Sequence, residues 1–290
     1  MSYIFGIDGG GTGCRVGLAD KQGNIIHRQN GGPANIETSF EEAEQNIIST
    51  CENALNEMSL PKHLIKDTYA ILGLAGSNMG DFDKKLSERL PFKENLIIND
   101  GEITLHGAIG SSDGCIAAIG TGAVYIGRTN GVVKQIGGWG FTLGDDGSGA
   151  KLGQTLLRLA VRCQEDLDSH SELTRKVMRA FDNKIINLIK ETNNFKPKDF
   201  AQFAHLVFEF NSKEDFHALN ILRNQIPIIE KSLLSVGFDK KKPFCLLGGL
   251  GKFYKNLVHK EFLKALVEPK DDAVVGAIAI ALSHYGNKLL

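Results

Sequence analysis

The sequence predicts a mixed α/β protein made of two copies of one unit. Apolar runs of strand length alternate with helical patterns along the 290 residues. A strand, glycine turn, strand, turn, strand series at 3–28 recurs at 114–136. The 33 glycines exceed an average usage of about 7%. They gather at 6–13, 120–127, 137–149 and 248–251, at the ends of apolar runs. Two copies of a unit imply two domains facing each other across a cleft, each presenting a glycine turn to it.

Tyr3–Ile7 is a short apolar run that ends in "DGGGTG". Beyond it Cys14, Val16 and Leu18 alternate with Arg15, Gly17 and Ala19, the period-two sign of a strand. "DKQGN" turns the chain back into "IIHR". Ser39 with Glu42 forms a capping-box pattern. Phe40, Ala43, Ile47, Cys51, Ala54 and Met58 follow at helical spacing. "YAILGLAG" at 69–76 and "NLIIND" at 95–100 read as buried strands, with helices expected over 81–89 and 101–110. The second copy, at 114–136, aligns Gly120–Gly122 with Gly9–Thr12 and Gly131 with Gly23, the two glycine turns differing in length. Helical patterns follow at about 150–163, 172–191, 198–210 and 215–236, with Pro227 expected to kink the last. "PFCLLGGLG" is a strand running into a glycine loop. The closing "DDAVVGAIAIALSHYG" is a helix capped by Asp271 or Asp272 and apolar on every face, hence buried.

Hydrophobic content of 42% and charged content of 23% are ordinary for a soluble domain. A net charge of −1 argues against nucleic acid or an anionic membrane as the main partner. Lys240–Lys242 is the one basic block and reads as a solvated loop. Five cysteines stand far apart, without the spacing of a disulfide framework or zinc site. The longest apolar stretch, Ala273–Leu282, is about half of a bilayer crossing. A reduced, cytoplasmic setting is the expectation.

Consecutive glycines in "GIDGGGTG" demand either left-handed backbone or bare backbone. A glycine loop can turn several N–H groups toward one anion, each worth roughly 1.5–3 kcal/mol when the acceptor is charged. Thr12 would add a hydroxyl donor. No Lys-Ser/Thr follows, so this is not a Walker A loop, and a strand follows where a dinucleotide fingerprint needs a helix. A phosphate held in a strand–turn–strand remains, against a plain tight hairpin. Asp8 at the lip of the turn would hold hydrated Mg2+ or make a local turn contact. Asp100 ends a strand where open α/β sheets place ligands; it would take a proton from an attacking hydroxyl or simply cap a helix. "GGWGFTLGDDGSG" at 137–149 joins the chain's single tryptophan, Trp139, to two carboxylates, as a sugar site does, unless Trp139 is a core plug. "GGLG" at 248–251 would lie under a flat base or cap its strand.

"GIDGGGT" at 6–12, "NDG" at 99–101, "GTG" at 120–122, "GGWGFTLGDDGSG", "LLGGLG" at 246–251 and "DDAVVGAIAIA" at 271–281, in this order, resemble the sugar kinase–actin–heat-shock chaperone superfamily. Within it they resemble the N-acetylglucosamine/glucosamine kinase branch of BadF-type ATPases. The resemblance implies two ribonuclease-H-like (actin-like ATPase) domains flanking a cleft, each with a mixed five-stranded sheet. Residues 1–111 plus 271–290 would form the N-terminal domain, and 112–270 a C-terminal domain that also carries dimer contacts. Gly9, Gly10, Gly11 and Thr12, with Gly120, Thr121 and Gly122, would bind the phosphates of ATP, with Mg2+ near Asp8. Asp100 would be the general base for a 6-hydroxyl. Asn35, Gly138, Trp139 and Asp145 would meet the sugar, which "AGS" at 75–77 (Ala75, Gly76 and Ser77) would approach from the first domain, and Gly248, Gly249 and Gly251 would meet the adenosine. ATP-dependent phosphorylation of N-acetylglucosamine in a homodimer is the implied activity. Glucosamine as acceptor, or a non-sugar ATPase regulator, is the alternative. A related branch, the activators of acyl-CoA dehydratases, holds an iron–sulfur cluster on closely placed thiolates, which the scattered cysteines do not suggest.

Overall fold

The computed structural model describes residues 2–77 and 80–289. The chain forms two compact units: one runs to Ser112 and resumes at Glu268, the other is Asp113–Val267.

The first unit opens with strands β1 (Ile4–Gly9), β2 (Cys14–Ala19) and β3 (Ile25–Gly31). Helix α1 (Phe40–Glu57), a 3-10 turn at Lys62–Asp67, strand β4 (Tyr69–Leu74), helix α2 (Phe82–Arg89), strand β5 (Glu94–Asn99) and helix α3 (Asp100–Ile109) follow. The sheet order is β3-β2-β1-β4-β5, the first three antiparallel and β1, β4 and β5 parallel. Side-chain alternation splits β1 between two cores. Phe5 and Ile7 pack with Ile47, Cys51, Ala54 and Leu55 of α1, while Ile4 packs on the opposite face.

The second unit repeats the opening meander with β6 (Gly114–Ile119), β7 (Ala123–Thr129) and β8 (Val132–Gly137). Asn130 (φ 51°) and Gly131 (φ 78°) turn β7 into β8, both left-handed as a two-residue hairpin of this type requires. Then come α4 (Gly149–Gln164), α5 (Glu172–Arg179), α6 (Ile185–Thr192), α7 (Pro197–Ala201), α8 (Ala204–Asn211), α9 (Phe216–Ser235), β9 (Phe244–Leu247), α10 (Gly251–Tyr254) and α11 (Lys260–Leu263). The last helix, α12 (Ala273–Leu289), returns to the first unit. There Val274, Ala277, Ile278 and Tyr285 join Ile4, Tyr69, Ile71 and Ile103 in one buried cluster. Asp272 caps α12 by accepting from the Val275 N–H at 3.0 Å.

The described residues depart from expectation in four places. The second sheet has four strands, β8-β7-β6-β9, instead of five. The segment that would supply the fifth makes a single parallel bridge, Phe244 to Leu266, before the chain leaves for α12. The helix expected over 172–191 breaks, because Asp182 (φ 54°) and Asn183 (φ 57°) are both left-handed. The one expected over 198–210 is two short helices, α7 and α8. Ser39 is the N-cap of α1 yet its side chain makes no cap bond. The turn ahead of α1 is closed instead by Asn35, whose Oδ1 accepts from the Glu37 and Thr38 N–H groups at 3.0 and 3.1 Å. All five cysteines are free thiols buried in the cores.

Candidate active site

In the first unit, three parallel strands end along one edge, and their register fixes what stands there. Asp8 pairs with Gly73 and Gly73 with Ile98, so Gly9, Leu74 and Asn99 form the next row. Asp100 follows at once as the first residue of α3, two strands from Asp8, or roughly 10 Å. The loops beyond the strands are tied together. The Ala75 N–H donates to Gly9 C=O at 2.9 Å, Ala34 N–H to Gly10 C=O at 2.9 Å, and Ile36 N–H to Ala75 C=O at 3.3 Å. Asp8, Gly9–Thr12, Asn35, Ala75, Gly76 and Asp100 are thereby gathered at one edge. With its Oδ1 committed to the turn, Asn35 has only its amide N–H groups to offer a ligand.

Both carboxylates are strained electrostatically. Burial pushes the pKa of Asp100 up, and the charge of Asp8 pushes the same way, against a hydrogen bond from the Gly101 N–H. Burial likewise raises Asp8, opposed by Arg15. Arg15 is the cross-strand partner of Asp8 and forms an ion pair with it. Both line a cavity of about 340 Å3 together with Gly10, Thr12, Gly13, Cys14, Asn30 and Gly31. Sequence reasoning passed over Arg15. Counting residues outward from the turn, Asp8 against Arg15, would have found it.

The glycine question is answered by position. Gly9, Gly10, Gly11, Gly120 and Gly122 have none of the left-handed φ values found at twelve other glycines, so conformation does not require them. Gly9 is required by packing, since a Cβ there would lie 2.9 Å from the Ala34 Cβ. At Gly11 and Gly120 an added Cβ would meet nothing within 4 Å. Neither backbone shape nor protein packing explains these two residues. Their bare backbone faces open space.

In the second unit the corresponding turn, Gly120–Gly122, is closed by Gly120 N–H to Gly122 C=O at 2.9 Å. The start of α4 is tied to it, with the Gly149 and Ala150 N–H groups donating to Gly120 and Thr121 C=O at 2.8 and 3.2 Å. The Leu250 N–H donates to Ile119 C=O at 3.0 Å, which brings the Gly248–Gly251 loop beside the same turn. Gly248 is left-handed (φ 80°), whereas a Cβ on Gly249 would face open space. Asp145 is left-handed (φ 63°) and 8% exposed, a strained backbone of the kind that collects at functional sites. Its Oδ1 accepts from the Ala123 N–H at 3.3 Å, and a Cβ on Gly122 would come within 3.0 Å of its carboxylate. Burial raises its pKa. The loop around it is pinned by Tyr125 Oη donating to Asp146 C=O at 2.9 Å and Tyr254 Oη to Gly147 C=O at 2.7 Å. Gly138 joins the turn through its N–H to Ala123 C=O at 3.1 Å. Trp139 is 69% exposed and so is no core plug.

Known proteins share this arrangement over its whole length. A relative from Vibrio cholerae, named glucosamine kinase GspK, is 27% identical over 97% of this chain and 96% of its own. Another from Clostridium acetobutylicum, named N-acetylmuramic acid/N-acetylglucosamine kinase, is 26% identical over 98% and 99%. A crystal structure from Chromobacterium violaceum, provisionally named an N-acetylglucosamine kinase, superposes with a TM-score of 0.85 at 30% identity, covering 95% and 97% of the two chains. The fold class is that of two ribonuclease-H-like, actin-like ATPase units, with five- and four-stranded sheets. Glycine turns, edge carboxylates and C-terminal helix thus fall within one pattern, matched over residues 5–281: the chain belongs to the BadF/BadG/BcrA/BcrD ATPase family.

Proposed function

We propose that this ATP-dependent amino-sugar kinase transfers the γ-phosphoryl of ATP to the 6-hydroxyl of N-acetylglucosamine. The observation that carries the reading is the open space in front of Gly11 and Gly120, glycines that nothing within the protein requires. In this account Gly9–Thr12 and Gly120–Gly122 donate main-chain N–H groups to the phosphates, and Gly248, Gly249 and Gly251 lie under the adenosine. Asn35, Ala75, Gly76, Gly138, Trp139 and Asp145 contact the sugar. Asp100 takes the 6-hydroxyl proton, a role for which a buried carboxylate with a raised pKa is suited. Arg15, on the wall of the same cavity as Thr12, supplies a cation to phosphate oxygens.

A magnesium ion accompanying the nucleotide would neutralise phosphate charge. It keeps most of its waters and asks the protein for one or two carboxylates. Asp8 fits that demand, since its carboxylate lines the cavity beside Thr12, where its ion pair with Arg15 is the contact a cation would displace.

Glucosamine is a second acceptor to weigh, favoured by the full-length likeness to the Vibrio cholerae enzyme named for it. A homodimer is also part of the proposal, supported by apolar side chains exposed on α9, such as Phe216 at 48% and Leu234 at 59%. Light scattering of the purified protein tests it. The function is tested by ADP release with Mg·ATP across a panel of hexoses and amino sugars. N-acetylglucosamine should give the highest kcat/KM, and ADP release independent of every sugar would refute the proposal.

A further inference from the structure

A cavity of about 460 Å3 opens between α4 and α9 in the Asp113–Val267 unit, and none of the residues assigned above lines it. Its size is that of a small-molecule site. Leu159 and Ile221 give it an apolar floor that belongs to the core of the unit. From α4 come Arg158 and Arg162, four residues apart and hence neighbours on one helical face. Like charges at this spacing destabilise a helix. Arg162 offsets its share through Asp168, which lines the same cavity and accepts from the Arg162 Nε at 2.6 Å. That bond commits Nε and leaves the terminal nitrogens available. Among the described residues, Arg158 has neither an ion pair nor a hydrogen bond. Two guanidinium groups against one carboxylate give the cavity an excess of positive charge.

The chemistry of the walls defines the ligand. An arginine fork matches phosphate oxygens in pairs. A phosphate ion fills only a few water volumes, each about 30 Å3, so the cavity has room for a body attached to it. Asn220 and Asn224 of α9, with Thr155 of α4, line the remainder. Their amides and hydroxyl both donate and accept, as the hydroxyl groups of a polyol require. Gln225 links this cavity to the catalytic loop. It lines the cavity, and its Oε1 accepts from the Gly147 N–H at 2.9 Å. Gly147, left-handed at φ 83°, stands two residues beyond Asp145 in the loop that also carries Trp139. A ligand that engages the Gln225 amide and the conformation of that loop therefore bias one another.

We propose that the cavity between α4 and α9 is a regulatory site for a phosphomonoester of a small polyol, such as a hexose phosphate. Arg158 and Arg162 hold the phosphate, Asn220 and Asn224 the hydroxyl groups, and Gln225 transmits occupancy to the loop of Trp139 and Asp145. The assignment does not depend on which acceptor the kinase uses.

The test titrates the full chain, saturated with Mg·ADP, with glucose 6-phosphate, inorganic phosphate and glucose. Calorimetry reads binding, and the emission of Trp139, the single tryptophan, reads the loop. Glucose 6-phosphate should bind and shift the emission, and glucose should do neither. Inorganic phosphate should bind about tenfold or more weakly, and equal affinity for the two phosphates would overturn the assignment to a polyol ester. Arg158 is exposed, so Arg158→Gln should fold and keep wild-type kcat and KM. Its affinity for glucose 6-phosphate should fall by about tenfold, equivalent to about 1.4 kcal/mol. Undiminished affinity in this variant would mean binding elsewhere, and no binding by the wild type would equally overturn the site. Gln225→Met, which removes the acceptor for Gly147, should bind glucose 6-phosphate within about threefold of wild type yet lose the emission shift. A full shift in that variant contradicts the coupling. None of these readings requires turnover, so their failure leaves the kinase reading standing.

Discussion

Replacing Gly120 by alanine separates a ligand-binding glycine from a structural one. An added Cβ would meet no protein atom within 4 Å, and the backbone there is not left-handed. The substitution therefore removes chain entropy from the unfolded state without straining the folded one, a gain of about 0.4–1 kcal/mol. For units of this size that is a rise of roughly 1–4 °C in melting temperature. Nucleotide binding should move the other way. A methyl group on the face left open holds a phosphate away from the main-chain N–H groups, and one charge-assisted hydrogen bond is worth about 1.5–3 kcal/mol. The ATP KM should rise roughly 10- to 100-fold. Gly11→Ala should behave alike, since its surroundings are equally open. Calorimetry with and without Mg·ATP, beside steady-state kinetics, reads both arms. A pair of variants that are stabler and yet bind ATP as wild type does would refute the phosphate role of these turns.

Asp100→Asn retains an oxygen for the Gly101 N–H, a bond of 2.9 Å in the native protein, and should fold and bind sugar. Losing a general base lowers kcat by about 10²–10⁴-fold, and near-normal turnover would remove Asp100 from its role. In the wild type, kcat should fall with decreasing pH through a limb lying above 3.8, because burial, the larger cause of the raised Asp100 pKa, persists when a cation neutralises Asp8. A limb at or below the ordinary aspartate value contradicts this. The same raised pKa means that Asp100 opposes folding increasingly as pH rises from 3.8 through its folded value. Asp100→Asn should consequently gain stability near neutral pH, where a melting temperature below wild type would count against the buried charge. Gly276→Ala would set a Cβ 2.6 Å from the Gly107 nitrogen, forcing α12 away from α3. A loss of about 2 kcal/mol in urea denaturation is expected, and an unchanged midpoint would deny the close approach.

What the sequence disclosed was whatever is written in short range. The turn glycines, Asp8 and Asp100 at strand ends and the apolar first turns of α12 follow from local period and punctuation, as does the repeat of the meander; the last turns of α12 instead expose Ser283, His284, Asn287 and Lys288. What it hid depends on register or on choices between partners. Arg15 reads as an alternating strand residue until β1 and β2 are placed side by side. Asn35 spends its carbonyl on the Glu37 and Thr38 N–H groups in the turn before α1, a choice of partner that local pattern does not announce. The second sheet has four strands, and beside β9 the chain makes only the isolated Phe244–Leu266 bridge, a pairing no local pattern announces. The left-handed pair Asp182–Asn183 lies inside an uninterrupted helical pattern, and only the packing of α5 and α6 reveals the break. Asp145 is distant in sequence from Gly122, and the fold sets the two in contact.

The most direct measurement is a phosphorus–proton correlation spectrum of the product formed from Mg·ATP and N-acetylglucosamine. The account predicts a phosphomonoester coupled to the two protons on carbon 6, formed in step with ADP. Inorganic phosphate alone, or a phosphate coupled to a ring proton, would contradict it.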